Sequence, residues 1–187
     1  MLSIDEMARQ HNVSIYRLRA LEVATIPVEC TKQVDVGFYA KERAPLINPL
    51  SFLTKAKIRP GLFAYGKQAP SLVQAVAADG ELCSALDTLL TNYAWAIEWN
   101  DGSLRARVNL LEATIDGDST GGERFLSNLE IVARRLGDIS NGRSQVVADL
   151  SPVAFGPTWF RNREMFGGLV VGLAIVVLLF FVIGRVR

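Results

Sequence analysis

The sequence predicts an all-α protein, in which a helical bundle domain is followed by one C-terminal transmembrane helix. Three observations lead to this prediction. Residues 165–184 form an uncharged apolar run, and residues 71–95 and 123–136 carry apolar side chains at helical spacing. Proline and glycine residues separate these segments by short connections, as in bundles of antiparallel helices.

The apolar run at residues 165–184 reads MFGGLVVGLAIVVLLFFVIG. At a rise of about 1.5 Å per residue, a helix of this length spans about 30 Å, the thickness of a hydrocarbon core. Backbone groups in lipid must bond within their own segment, so we expect a helix here. Gly168 and Gly172 form a GxxxG pair, for which we expect close packing against a second copy or against a helix of a larger partner.

We expect the bulk of the chain on the cytosolic side of a membrane, as a single-pass protein. The arginines on the two sides of residues 165–184 are balanced and give no orientation. Residues 1–44, however, contain no apolar core behind a basic start, so we expect no secretory signal. Two cysteines, Cys30 and Cys83, give no disulfide framework and are typical of a reducing compartment.

The composition argues against an enzyme. The net charge is +1, and His11 is the single histidine. One histidine without a cysteine pair at ligand spacing argues against a zinc site and against histidine acid/base chemistry. The sequence contains no GxxxxGK[ST], GxGxxG or GxSxG motif, which removes the common phosphate, dinucleotide and hydrolase sites. We therefore expect no catalytic residue, no metal and no cofactor.

Residues 1–44 are predicted to form an N-terminal extension with helix-turn-helix character. Ser3 and Glu6 have the spacing of a capping box at the start of a first helix. Ser14 is expected to cap a second helix that continues to residue 24. Residues 25–39 have an irregular or strand-like composition, and prolines near residue 45 place a domain boundary there.

Residues 45–160 are predicted to be the helical domain. Its main helices are expected over residues 71–95, 104–114 and 123–136. The first of these has a candidate interruption at Asp79-Gly80, and Gly137 is expected to cap the last.

Two blocks of this region carry a resemblance. They read LCSALDTLLTNYAW from residue 82 and EWNDGSLRARVNLLEATIDGDSTGGERFLSNLE from residue 98. In order and spacing they resemble the cytoplasmic domain of the TssL family of type VI secretion systems and its type IVB counterpart IcmH, also called DotU. The matching residues are Leu82, Cys83, Leu86, Asp87, Trp95, Trp99, Gly121, Gly122, Glu123 and Phe125. The family's usual acidic pair is Asp87-Thr88 here and its middle histidine is missing, which indicates a divergent or reduced member.

The resemblance implies a non-catalytic scaffold with a hook-shaped helical domain. The implied partners are a large TssM/IcmF-like inner-membrane protein, TssK- and TssE-like baseplate proteins and, through the membrane complex, a TssJ-like lipoprotein. The implied location is a bacterial inner membrane, with the N-terminal domain in the cytoplasm. The implied function is an adaptor of a bacterial secretion machine that links an inner-membrane complex to a cytosolic baseplate. The residues also have a plain structural interpretation, in which Gly121-Gly122 starts a helix and Phe125 lies in its core.

The alternative function is a membrane-tethered DNA-binding regulator. The opening LSIDEMARQHNVSIYRLRALE resembles the helix-turn-helix of MerR-type regulators, with Tyr16, Arg17 and Arg19 on the recognition helix. No wing is recognisable after Glu22, and the chain has no basic excess. Nucleic-acid binding is therefore not expected, and the secretion adaptor is the preferred interpretation.

Overall fold

The structure is a computed structural model that describes residues 3–18, 21–40, 55–108 and 119–144. All of these belong to one compact unit within Met1–Val153. In chain order the elements are α1 (Ile4–Gln10), β1 (Ser14–Leu18), β2 (Leu21–Pro27), β3 (Asp35–Ala40), β4 (Ala56–Arg59), β5 (Leu62–Gly66), α2 (Ala69–Ala78), α3 (Gly80–Asn92), β6 (Ala94–Asn100), β7 (Ser103–Val108) and α4 (Ser119–Ser140).

The fold is mixed α/β, so the prediction of an all-α bundle is wrong. The strands form one seven-stranded antiparallel sheet in the order β1-β2-β7-β6-β3-β5-β4. The misassigned helix at residues 104–114 shows the physical reason. Leu104 and Val108 lie four residues apart, a distance that fits a helix and a strand equally, and Ala106 between them completes the alternation of a strand.

Two tight turns fix the hairpins of this sheet. Asp101 and Gly102 connect β6 to β7 with φ of 48° and 70°, the backbone of a type I′ turn, which an Asp-Gly pair favours. Pro60 and Gly61 connect β4 to β5, and Gly61 has φ of 85°, which suits the third position of a type II turn.

The predicted start of the first helix is confirmed. Ser3 caps α1, its Oγ accepts from the backbone N–H of Glu6, and the Glu6 carboxylate accepts from the backbone N–H of Ser3. The second predicted helix of residues 3–24 is wrong, because β1 and β2 pair there as an antiparallel hairpin. Tyr16 and Arg17 thus lie on a strand, and the recognition helix of the DNA-binding alternative is not formed at these positions.

The predicted helix at residues 71–95 is two helices that meet at Asp79. The Asp79 side chain accepts from the backbone N–H of Leu82 and so caps α3. The same carboxylate accepts from Arg135 of α4, with a distance of 2.7 Å to its Nη2. Asp79 is buried, so this ion pair ties the junction of α2 and α3 to α4. Strand β6 begins at Ala94, directly after α3, whereas the predicted helix continued to residue 95.

Helix α4 continues beyond its predicted end at Gly137. A Cβ at Gly137 would lie 3.0 Å from the backbone oxygen of Glu29, in the segment after β2. Asn141 joins the same two segments, because its Nδ2 donates to Glu29 and its Oδ1 accepts from the N–H of Thr31. Gly137 therefore allows a close approach between α4 and this segment and does not end the helix.

The sheet has two unlike faces. One, here called the core face, carries Phe38, Ile97, Trp99 and Leu104, which form one hydrophobic cluster with the buried side chains of the four described helices. The other, here called the second face, has none of the described helices packed against it. By strand register the second face carries Tyr16, Val23, Thr25, Asp35, Gly37, Tyr39, Lys57, Phe63, Tyr65, Ala96, Glu98, Asn100, Arg105 and Arg107.

The predicted location also needs correction. Among the residues that the structure describes, no helix combines the length and the apolar character needed to cross a membrane. The single-pass inner-membrane assignment is therefore not supported. The predicted span at residues 165–184, with Gly168 and Gly172, lies outside the described residues.

Candidate functional site

The second face carries aromatic and charged side chains that contact one another across four strands. The glycine at position 37 makes the first contact possible. Tyr65 on β5 and Glu98 on β6 both lie opposite Gly37 on β3, and an added Cβ at Gly37 would overlap the Tyr65 ring. The ring therefore lies over the β3 backbone, and the Tyr65 hydroxyl donates to Glu98 Oε1 at 3.1 Å.

Glu98 continues the network toward β7. Its Oε2 accepts from Arg107 Nε at 3.0 Å and from Arg107 Nη2 at 2.7 Å. The Arg107 guanidinium lies 5.7 Å from the centre of the Trp95 ring, a cation–π distance. A register shift between Ala94 and Ala96 places Trp95 at a bulge, which turns its ring toward the face that carries Arg107.

A second group of aromatic rings adjoins Tyr65. Tyr39 on β3 stacks on Phe63 of β5 at 5.5 Å and lies 5.8 Å from the Tyr65 ring. Lys55 Nζ lies 4.3 Å from the centre of the Phe63 ring. Tyr39, Phe63, Tyr65 and Trp95 are here called the aromatic strip.

Two polar atoms of the aromatic strip have no hydrogen-bond partner among the described residues. The Tyr39 hydroxyl and Trp95 Nε1 are buried, and neither makes a hydrogen bond with the part of the chain that the structure describes. Tyr39 is 1% exposed, although it lies outside the hydrophobic cluster of the core face. A buried donor without an acceptor costs free energy. Trp99 Nε1 on the core face and Ser140 Oγ of α4 also lack a partner among the described residues, so this feature is not confined to the second face.

Basic side chains border the aromatic strip. Lys57 on β4 and Arg105 on β7 are exposed on the second face, and Lys55 and Arg107 already lie against aromatic rings. The acidic side chains of the face are Glu98, which is paired with Arg107, and Asp35 at the start of β3. The second face is therefore more basic than the chain as a whole.

Burial shifts the pKa of several titratable groups among the described residues. Burial, followed by the charge of Glu98, raises the pKa of Tyr65 well above its usual range, so the hydroxyl stays neutral and donates. Burial likewise raises the pKa of the Cys83 thiol, whose Sγ donates to the backbone oxygen of Val76. A neutral buried thiol is a poor nucleophile. Among the described residues, no group of three His, Cys, Asp or Glu side chains could hold a metal ion.

The residues singled out by the sequence resemblance lie apart in this fold. Leu82, Cys83 and Leu86 are buried on α3, where they pack toward the core face. Asp87 is exposed on the same helix and pairs with Arg59 of β4. Trp95 and Trp99 both lie on β6 but on opposite faces of the sheet. Trp99 is fully buried on the core face, and Trp95 lies on the second face beside Arg107.

The GGERFL block lies in the first turns of α4. Gly121 and Gly122 are inside the helix, and Glu123 is exposed with its Oε2 4.0 Å from His11 Nε2. Phe125 is fully buried and meets the Tyr93 ring edge-on at 5.5 Å. The residues of this block therefore contact other parts of the same compact unit. Of the ten described residues that carried the resemblance, Trp95 alone belongs to the aromatic strip.

Sequence reasoning missed the rest of the aromatic strip. Two signals could have indicated part of it: the aromatic residues of FYA and LFAYG favour strands, and the Asp-Gly pair at 101–102 favours a hairpin turn between β6 and β7. Pairing β6 with β7 through that turn would have placed Glu98 and Arg105 opposite each other on one face. Nothing in the sequence indicated that β3 inserts between β5 and β6, which is the step that brings Tyr65 to Glu98.

The comparisons with known proteins do not assign a family. No family model and no curated protein matches the chain. The crystal structure of the mycobacterial trehalose monomycolate transport factor A, TtfA, superposes with a TM-score of 0.44 at 15% identity, over 64% of this chain and 66% of that chain. The match thus covers slightly less than two thirds of TtfA, and at this similarity it carries no argument about fold or function.

Proposed function

We propose that this protein is a non-catalytic adaptor that binds a partner protein through the second face of its sheet. The observation that carries the proposal is the aromatic strip with Arg107 and Lys55 against its rings. Tyrosine, tryptophan and arginine are the residue types that contribute most to binding at protein interfaces. Here they share one face of a sheet whose opposite face builds the core.

The hydrogen bonds of Glu98 support this proposal. Glu98 holds the Tyr65 hydroxyl on one side and the Arg107 guanidinium on the other, so both long side chains have a fixed position before any partner arrives. Side chains that are already ordered lose little conformational entropy on binding. The network therefore suits a preformed contact surface.

The narrower role in a secretion machine stays a prediction from the sequence. The sheet found here differs from the helical domain that the TssL and IcmH resemblance implied. The TssM/IcmF-like, TssK- and TssE-like and TssJ-like partners stay predictions in the same way. So does the packing of Gly168 and Gly172 against either a second copy or a helix of a larger partner. The proposal keeps the adaptor role, because that role depends on a binding surface and not on a helical fold.

A comparison of two charge-matched variants tests the proposal. Lys57→Glu with Arg105→Glu reverses two exposed charges on the second face, and Lys67→Glu with Arg124→Glu reverses two exposed charges outside the sheet. Proteins captured from native cells by the tagged full chain are compared by quantitative mass spectrometry. We expect a partner that the first variant loses and the second retains. If the two variants capture the same partners in the same amounts, the second face is not the binding surface and the proposal fails.

A further inference from the structure

We propose that Asn141 is a site of deamidation, and that its conversion to aspartate or isoaspartate releases the segment after β2, residues 28–31, from the end of α4. Asn141 and Gly142 form the single Asn-Gly pair of the sequence. Asparagine is a thermolabile residue, and a glycine after it adds no side chain that would shield it from attack. The proposal concerns α4 and is independent of a partner at the second face.

The reaction needs these two residues and solvent water. The backbone nitrogen of Gly142 attacks the side-chain carbon Cγ of Asn141, and a bond forms between them. The bond from Cγ to Nδ2 breaks, and ammonia leaves with the proton that the Gly142 nitrogen gives up. The product is a cyclic succinimide. Water then opens this ring at either of its two carbonyl groups, which gives aspartate or isoaspartate, and no electron is transferred.

Gly142 ends α4 in the left-handed backbone conformation that glycine favours. Its φ is 69°, and its N–H donates to the backbone oxygen of Ile139 at 3.3 Å. The N–H of Arg143 donates to the backbone oxygen of Asp138 at 2.8 Å, and the two bonds together form a Schellman motif. Gly142 is exposed, and the last turn of a helix opens at little cost in free energy. The attacking nitrogen therefore lies where local opening can free it.

The Asn141 side chain holds the segment after β2 against α4. Its Nδ2 donates to the backbone oxygen of Glu29 at 2.8 Å, and its Oδ1 accepts from the N–H of Thr31 at 3.2 Å. A carboxylate only accepts, so deamidation removes the bond to Glu29 and leaves two acceptors facing each other. Isoaspartate also adds a carbon atom to the backbone, which displaces the remaining oxygen from Thr31. Both products therefore weaken this contact.

The charges near the end of α4 also disfavour a new carboxylate. Asp138 lies in the last turn and pairs with Arg143 at 3.8 Å, and the Glu29 side chain is exposed on the neighbouring segment. The carbonyl end of a helix carries partial negative charge, to which a carboxylate at position 141 adds. The groove between α4 and the end of β2 is also lined by two charged side chains that pair elsewhere, Glu130 with His11 and Arg134 with Glu81.

Incubation of the full chain in mildly alkaline buffer, folded or unfolded in denaturant, tests the reaction by peptide mass spectrometry. Asn128, on the same helix but followed by leucine, is the internal control. We expect Asn141 to give both aspartate and isoaspartate, about tenfold more slowly in the folded chain, while Asn128 stays intact. Aspartate alone would show direct hydrolysis by water and overturn attack by Gly142. No conversion in the folded chain over about a hundredfold the time that the unfolded chain needs would overturn the site.

The variant Asn141→Asp tests the consequence for the fold. It should lower the melting temperature by about 2–4 °C, the loss of one hydrogen bond. Asn128→Asp makes the same chemical change at an amide that bonds only within α4, to the backbone oxygen of Arg124, and should lower it by less than about 1 °C. By amide hydrogen exchange we expect residues 28–31 to exchange about tenfold faster in Asn141→Asp than in the parent. Unchanged exchange there overturns the release even if the melting temperature falls, because the loss then lies in the last turn of α4 itself.

Discussion

Replacing Gly37 by alanine should destabilise the protein, although alanine usually favours a strand over glycine. Gly37 does not have a positive φ, so the backbone itself accepts an alanine. The obstacle is the Tyr65 ring, which an added Cβ would overlap at Cζ, Cε1 and the hydroxyl oxygen. The ring must move, and with it the hydroxyl that donates to Glu98.

The size of the effect follows from two opposing contributions. A hydrogen bond to a charged group is worth about 1.5–3 kcal/mol, and the contact between Tyr65 and Glu98 is only partly buried, so the lower half of this range applies. Alanine in place of glycine within a strand gains about 0.5–1 kcal/mol. The net loss is about 1 kcal/mol, which lowers the melting temperature by about 2–4 °C in a chain of this length.

Thermal unfolding followed by circular dichroism measures this loss. The control is Gly80→Ala, because a Cβ at Gly80 at the start of α3 meets nothing within 4 Å. That variant should be as stable as the parent or slightly more stable. The decisive measurement is Gly37→Ala in a Tyr65→Leu background, where the obstacle is gone and alanine should raise stability by about 0.5–1 kcal/mol.

The sign of the stability change caused by Gly37→Ala in the Tyr65→Leu background decides whether the Tyr65 ring is the obstacle. If Gly37→Ala destabilises the protein equally with tyrosine and with leucine at position 65, the ring is not the cause. If Gly37→Ala raises the melting temperature as Gly80→Ala does, Tyr65 does not lie over β3, and the network of the second face is not formed as described.

Three further predictions concern the groups that hold the fold together. The pKa of Tyr65 is raised, so the folded state keeps a proton that the unfolded chain releases; stability should fall as pH rises above about 10, and Tyr65→Phe should reduce this fall. Phe125→Ala should cost about 3–5 kcal/mol, whereas Tyr16→Ala, at a side chain that is 65% exposed, should cost less than about 0.5 kcal/mol. Arg135→Met should cost about 2–3 kcal/mol, because it leaves the buried carboxylate that caps α3 unpaired, whereas Arg134→Met at an exposed pair should cost less than about 0.5 kcal/mol.

Each of these predictions has an outcome that contradicts it. Parallel pH profiles for the parent and the Tyr65→Phe variant would show that this hydroxyl does not titrate differently in the folded state. Unfolding free energies that are equal for Phe125→Ala and Tyr16→Ala would place the phenyl ring outside the core. Equal losses for the two arginine variants would show that the pair between Arg135 and Asp79 is as well solvated as a surface pair.

The candidate site could be predicted only in part from the sequence. Trp95 was singled out only as a residue that carries the resemblance, and the strands that carry Tyr39 and Tyr65 are rich in aromatic residues, which favour strands. Their meeting could not be predicted, because the chain that leads from β3 through β4 and β5 returns through two helices before β6 pairs with β3. No local pattern encodes which strand a given strand will join.

The sequence by itself determined the features that depend on a few neighbouring residues. Two such features occur where the sequence pattern predicted them. One is the capping box of Ser3 and Glu6, and the other is the break at Asp79, whose side chain caps α3 through the N–H of Leu82. The tertiary structure alone decided between helix and strand for residues 104–108, since their apolar positions fit both periods until neighbouring strands supply hydrogen bonds. It also decided that Glu98 meets Tyr65 across β3, because that contact requires a strand without a side chain at Gly37 to lie between them.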